Sequence, residues 1–152
     1  MKTENTDIYI DLKALHTLLY RAQFTMTKGD RIIMGNRLLD LSQNTVSFLS
    51  RAVNCANYSE RLEYMERMLG EFDALRLNLQ TAADLHMFKE KLATVDRESG
   101  NSQRVSPIVL SIFERVAKID EGMGKWRSAT KSRLSLNKRV AEPSGIKETD
   151  CH

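Results

Sequence analysis

The chain has 152 residues, a net charge of +3, two prolines and seven glycines. So few turn-forming residues argue against a β-rich fold, and the common residues Leu, Met, Glu, Arg and Lys favour helices. Charges interrupt every apolar stretch before the roughly 20 residues that span a membrane, and residues 1–11 lack the apolar run of a signal peptide. Neither Cys55 nor Cys151 has a second cysteine at the spacing of a known motif. We therefore expect a cytoplasmic protein with reduced thiols.

The first helix is predicted to begin near Thr6 or Asp7 and to end near Phe24, because apolar residues recur there at spacings of three and four. Thr27 and Asp30 have the form of a capping box, which predicts the start of a second helix. That helix is expected to end around Asn57, where the asparagine side chain would cap the third helix.

The second helix carries two apolar series at heptad-like spacing, centred roughly 110° apart around its axis. One neighbouring helix does not cover so broad an arc, so we expect part of it to pack between subunits, although a wider internal core would use it equally well. The predicted subunit contacts are Met34, Leu38, Leu41 and Phe48. The other series begins at Ile32 and includes the small residues Gly35 and Ser42, which would let another helix approach closely. Arg37, Asn44 and Arg51, seven residues apart, form a line on the polar side.

The third helix is predicted by apolar residues from Leu62 to Ala82, with a break near residues 85–88 and a short helical piece to Val95. Residues 97–104 contain no apolar side chain and read as a loop. Ser106 and Pro107 mark the start of a fourth helix, whose apolar series ends at Trp126. The sequence therefore predicts an all-α, antiparallel four-helix bundle over residues 1–130, followed by a basic, disordered extension over residues 131–152.

The positive charge is concentrated near the end of the fourth helix. Residues 1–124 carry 16 basic and 17 acidic side chains, whereas residues 125–139 carry six basic and no acidic ones. Such a cluster favours contact with RNA or DNA through counterion release, and the alternative is a solubilising tail. The candidate nucleic-acid-binding residues are Arg37, Arg51, Lys118, Lys125, Arg127, Lys131 and Arg133.

Some of these candidates have simpler explanations as surface residues. Lys118 and Lys125 follow glutamates at four-residue spacing, which is typical of a solvated helix face. Arg37 and Arg51 would serve equally as solvating residues. For Arg31, a structural ion pair is favoured over phosphate binding.

No pattern in the chain predicts catalysis or a bound metal. None of His16, His86 and His152 has a glutamate three residues before it, as di-iron bundles require, and the cysteines lack zinc-ligand spacing. Nucleotide-binding glycine motifs and nucleophile elbows are absent from the sequence. We therefore expect a protein that is not an enzyme and has no cofactor, with Trp126 in the core.

The turn and helix start Phe24-x-Met26-x-Lys28-x-Asp30-Arg31-x-x-x-Gly35-x-Arg37 resembles the signature of a bacterial four-helix-bundle family. The family comprises the accessory variability determinant (Avd) proteins of diversity-generating retroelements and the bundle proteins encoded within ribosomal-RNA intervening sequences. Residues 69–76 and 119–126 resemble its third helix and closing region, and the resemblance covers residues 12–128. Thr27 departs from it, because many relatives have proline there, and residues 131–152 have no counterpart in the family.

This resemblance implies a homopentameric, non-catalytic accessory protein that binds a reverse transcriptase and its template RNA and supports mutagenic reverse transcription in gene diversification. The intervening-sequence relatives imply the alternative, a structural or interaction bundle without an assigned role. Neither relative implies a membrane partner.

Overall fold

The computed structural model describes residues 3–88 and 107–141, and all regular secondary structure in these ranges is helical. Helix α1 spans Thr3–Gln23. Helix α2 has three consecutive segments: an opening turn Lys28–Asp30, a π-helical turn Arg31–Gly35 and a regular helix Asn36–Asn54. Helix α3 spans Tyr58–Asp84 and helix α4 spans Pro107–Ala141. The prediction of an all-α chain with four helices is confirmed for the residues described.

Side-chain caps fix the starts of α2 and α3. The Thr27 hydroxyl accepts a hydrogen bond from the Asp30 N–H at 3.3 Å, and the Asn57 side chain accepts from the N–H groups of Ser59 and Glu60 at 2.8 and 3.2 Å. Each bond satisfies an N–H group that has no partner within its own helix, and such a cap stabilises a helix by about 1 kcal/mol. Both predicted N-caps are confirmed, whereas α2 ends at Asn54, sooner than expected.

Apolar residues from all four helices meet in one core. Each helix packs against two others, in the closed order α1–α2, α2–α3, α3–α4 and α4–α1. Burying one large apolar side chain stabilises the fold by roughly 1.5–3 kcal/mol. Trp126 lies in this core, as predicted. The largest fully buried side chains are Phe72, Leu12, Leu15, Leu38, Leu49, Met65, Met68, Leu75, Leu79, Ile112, Ile119 and Met123.

Helix α2 lies between α1 and α3, and both of its apolar series contribute to the core. Met34 and Leu41 are each 8% exposed and Leu38 is 2% exposed in the single chain. The core of the single chain already buries these three side chains, which argues against their use as subunit contacts, and that role stays a prediction. The wider internal core, which the sequence left open, is the arrangement found.

The small residues of α2 allow a close approach to α1. A Cβ atom added to Gly35 would lie 3.3 Å from the Gln23 Cβ, so a larger side chain would fit here only if its neighbour shifted by a few tenths of an ångström. Ser42 is fully buried, and its hydroxyl donates to the Leu39 carbonyl. The same hydroxyl is hydrogen-bonded to His16 Nδ1 at 2.5 Å.

Helix α3 ends at Asp84, which confirms the predicted break near residues 85–88. His86 is exposed and has a φ of 54°, a left-handed conformation that ends a helix. The helical piece expected up to Val95, the loop at residues 97–104 and the Ser106 cap lie outside the described residues.

Helix α4 is longer than its apolar pattern. The extension after residue 130 was expected to be disordered, but the helix continues to Ala141. Residues 125–141 contain neither glycine nor proline and are rich in helix formers, so the chain continues a helix already nucleated by its packed part. Within the described ranges, no helix has the length and apolar character needed to cross a bilayer.

Candidate nucleic-acid interface

Thr130 is the last buried residue among the described side chains of α4. Thr130 is only 2% exposed, whereas Lys131 and Lys138 are exposed and Arg133 is partly exposed. The helical residues 131–141 extend for about 16 Å at the rise of an α-helix. We name this segment, residues 131–141, the projecting end.

Three cations of the projecting end have no acidic partner among the side chains of residues 7–88 and 107–138. Lys131, Arg133 and Lys138 make no ion pair with any described side chain. No acidic residue occurs between positions 125 and 139, so α4 itself supplies no carboxylate at helical spacing. These side chains are consequently available to the phosphates of a nucleic acid without breaking an existing ion pair.

Three other candidate cations are held in ion pairs. Lys118 Nζ lies 3.3 Å from the Asp11 carboxylate, Lys125 Nζ lies 3.0 Å from Glu121, and Arg127 Nε lies 2.6 Å from Glu66. The predicted Glu121–Lys125 pair is present, whereas Lys118 pairs with α1. A neutralised cation releases few counterions on meeting RNA, so these three sites are weaker candidates than the projecting end.

The polar line of α2 lies along its contact with α3. Arg37 Nε donates to Asn78 Oδ1 at 3.2 Å, and Asn44 donates to Glu71 at 3.3 Å. The Arg51 guanidinium lies 5.6 Å from the centre of the Phe48 ring. Arg37 and Arg51 are exposed, and neither forms an ion pair with a described residue, so both keep their positive charge accessible.

Arg31 and Arg61 have structural roles that differ from an ion pair. Arg31 Nε donates to the Gln23 carbonyl at 3.2 Å, which satisfies a carbonyl at the end of α1. Arg61 donates twice to the Cys55 carbonyl, at 3.2 and 2.7 Å. The expected ion pair of Arg31 is not found among the side chains of residues 7–88 and 107–138, and its Nε is bonded to a backbone carbonyl instead.

The pair formed by Asp11 and Arg115 was not found from the sequence. The Asp11 side chain is 10% exposed, and its carboxylate lies 2.7 Å from Arg115 Nη1 and also meets Lys118. Asp11 and Arg115 are 104 residues apart in the chain, so no local spacing signals their contact. This charged triad ties α1 to α4 on the side of the bundle.

Among the residues described, no three side chains of His, Cys, Asp or Glu come close enough together to hold a metal ion. His16 and His86 lie on different elements, one bonded to a buried serine and the other at the end of α3. The absence of catalysis and of a cofactor stays a prediction.

No model of a known protein family matches this chain, and no curated protein matches it. The resemblance to the Avd family therefore stays a prediction that rests on the sequence pattern.

Proposed function

We propose that this protein is a non-catalytic, cytoplasmic accessory protein resembling Avd, which binds a retroelement reverse transcriptase and its template RNA. In this proposal the chain is an antiparallel four-helix bundle that assembles into a homopentameric ring and supports mutagenic reverse transcription. The proposal combines the sequence resemblance with the distribution of charge on the helices.

The order of the interhelical contacts supports the antiparallel arrangement. Along α2 and α3, Arg37 bonds to Asn78 whereas the later Asn44 bonds to the earlier Glu71. Along α3 and α4, Glu66 meets Arg127 whereas the later Arg76 meets the earlier Asp120. In both pairs the residue numbers rise along one helix as they fall along the other.

The observation that carries the RNA-binding role is the projecting end. A helix that extends beyond its core and presents Lys131, Arg133 and Lys138 without acidic partners among the described residues has an arrangement suited to phosphate contacts. These contacts position a nucleic acid but read no base sequence. In a ring, each subunit repeats the segment, so weak attraction at one site is multiplied.

RNA binding measured over a salt series tests this role. We expect the full chain to bind a structured hairpin RNA at low salt and to lose affinity steeply at moderate salt. Truncation after Thr130 should flatten the dependence of log K on log salt, and Arg37→Glu with Arg51→Glu should weaken the truncated form further. Absence of RNA binding by the full chain at low salt would remove the nucleic-acid role.

The reverse-transcriptase role is tested separately. A gene for a reverse transcriptase beside this gene, with paired template and variable repeats, is expected. The two purified proteins should then co-elute in size-exclusion chromatography, with an unrelated reverse transcriptase as control. Separate elution at micromolar concentrations would remove this partner.

A second candidate is a structural or interaction bundle without a nucleic-acid role. The pairing of Lys118, Lys125 and Arg127 with carboxylates favours it, because these residues already have a role in holding or solvating the bundle. It predicts assembly without RNA binding, so the salt series also separates the two candidates.

A further inference from the structure

One end of the bundle exposes a group of large apolar side chains where α1 passes into α2. We name Tyr20, Phe24, Ile32 and Ile33 the apolar knob; their exposed fractions are 51%, 56%, 58% and 75%. Ile32 and Ile33 belong to the π-helical turn of α2. Large exposed apolar groups clustered in this way mark interaction surfaces.

The two aromatic rings of the apolar knob are held by contacts with their neighbours. The rings of Tyr20 and Phe24 meet edge to face with their centres 5.3 Å apart. The Arg31 guanidinium lies 5.2 Å from the centre of the Phe24 ring, and its Nε is bonded to the Gln23 carbonyl. Little side-chain freedom is left to lose on binding, which favours a protein partner with a fixed shape.

Positive charge surrounds the apolar knob. Arg21 and Lys28 are exposed and form no ion pair with any residue in the described ranges. Asp30 is the only acidic residue between positions 20 and 35. A complementary surface must therefore combine an apolar floor with carboxylates at its rim.

Such a surface lies between α3 and α4 of the same chain. A groove of about 560 Å³ is lined by residues of both helices where they pack against each other, and we name it the α3–α4 groove. Leu77, 69% exposed, stands at its edge, and its other apolar lining residues are Phe113, Val116 and Ala117.

Acidic residues lie around the α3–α4 groove. Asp73 and Asp120 line it with side chains 70% and 47% exposed, and both share the single cation Arg76 at 3.5 and 3.1 Å. Gln80, another lining residue, donates to the carboxylate of Asp84. Two acids around one cation in the groove, with Asp84 bonded to a lining residue, give it the charge opposite to that around the apolar knob.

The two surfaces occupy the same end of the bundle on different sides. The bond from Arg37 to Asn78 places the start of α2 beside the part of α3 that carries Leu77 and Gln80. In the closed packing order, the pair α1–α2 lies across the bundle from the pair α3–α4. The apolar knob therefore lies across the bundle from the α3–α4 groove of its own chain, and both surfaces are free to meet another copy.

We propose that copies of this chain associate head to tail, with the apolar knob of one subunit seated in the α3–α4 groove of the next. The inference rests on the proposed ring and gives it a contact between two different surfaces, which is the type that generates rings. It also supplies subunit contacts in place of Met34, Leu38 and Leu41, which the core of the single chain buries.

Two complementary variants test the contact. Ile32→Asp with Ile33→Asp removes the knob, and Leu77→Asp blocks the groove. All three positions are exposed, so both variants should keep the helical circular dichroism and melting temperature of the unaltered chain. Each variant alone should sediment as a monomer of about 17.4 kDa. An equimolar mixture should form a one-to-one dimer, because one intact knob still meets one intact groove.

Ile10→Asp and Leu136→Asp are the matched controls, because these residues are 56% and 57% exposed and lie outside both surfaces. They should assemble like the unaltered chain. Assembly of either test variant alone, or a mixture that stays monomeric, would overturn the contact while leaving the proposed ring in place. A monomeric unaltered chain would remove the ring and the contact together, and neither result depends on RNA binding.

Discussion

The two parts of α4, before and after Thr130, differ in what happens to their positive charges. In the packed part, Arg115, Lys118, Lys125 and Arg127 each lie between 2.6 and 3.3 Å from a carboxylate. In the projecting end, Lys131, Arg133 and Lys138 form no such pair with any described residue. The partner carboxylates lie on three helices: Asp11 on α1, Glu66 on α3 and Glu121 on α4.

The difference follows from the acidic side chains that neighbour each part of α4. Where α4 runs beside α1 and α3, these neighbours present Asp11 and Glu66 to its basic side chains. Thr130 is the last buried residue of this helix among its described side chains, and residues 131–141 contain no acidic residue. The unpaired cations therefore belong to the part of α4 that follows its last buried residue, and this part of α4 contributes least to the core.

The largest expected effect concerns stability. Trp126→Ala should lower the free energy of unfolding by about 3–5 kcal/mol, because it empties a buried site in the packed part. Leu136→Ala, in the projecting end, should change it by no more than about 0.5 kcal/mol. Urea denaturation followed by circular dichroism measures both. Equal losses for the two variants would mean that the projecting end belongs to the cooperative core.

The next effect concerns the acid that neutralises the packed part. Asp11→Asn should lower the free energy of unfolding by about 1–3 kcal/mol, because a nearly buried carboxylate that accepts from Arg115 loses its charge. Asp7→Asn is the control, since Asp7 is exposed one turn earlier in α1, and should stay within about 0.5 kcal/mol. A smaller loss for Asp11 than for Asp7 would contradict the role of the triad.

The Asp11→Asn substitution should also let the packed part of α4 contribute to RNA binding, as the projecting end is expected to do. Without the Asp11 charge, Arg115 and Lys118 lose their carboxylate and become available to phosphates. We expect a steeper dependence of RNA affinity on salt for Asp11→Asn than for the unaltered chain, measured by fluorescence anisotropy. An unchanged slope would mean that RNA does not reach this side of the bundle.

What the sequence predicts well in this protein is set by local chemistry. The caps at Thr27 and Asn57 and the end of α3 near Leu85 depend on residues within one or two turns. The four apolar series identified the helices because core-facing residues must repeat with the helical period. Neighbouring residues contain all the information that such features need.

What the sequence could not predict depends on which helices face each other. Asp11 and Arg115 meet only because α1 packs on α4, and Met34 and Leu38 are buried only because α2 lies between two helices. Ile32 was expected to face inward, yet it is 58% exposed. The π-helical turn in which it lies changes the residue period, so a heptad count started there points to the wrong side.

A smaller effect separates the two sets of lysines. Lys131→Gln with Lys138→Gln should reduce the slope of log K against log salt by about 1.4, since each contact with single-stranded RNA contributes about 0.7. Lys118→Gln with Lys125→Gln, which removes the same charge from paired sites, should change the slope less. The measurement is the binding of a single-stranded RNA from low to moderate salt, and equal changes for both pairs would contradict the distinction between paired and unpaired cations.

The smallest effect tests whether the projecting end acts through its charge or its helical conformation. Ser132→Gly with Ser135→Gly keeps every cation but weakens the helix by about 0.5 kcal/mol per substitution. Amide hydrogen exchange should quicken over residues 131–141, while the urea midpoint stays unchanged because this segment lies outside the core. Ser128→Gly is the control in the packed part and should lower the midpoint slightly. Counterion release depends on charge near phosphate rather than on a fixed helix, so the salt slope of RNA binding should not change. A slope reduced as far as in Lys131→Gln with Lys138→Gln would instead mean that RNA binds the ordered helix.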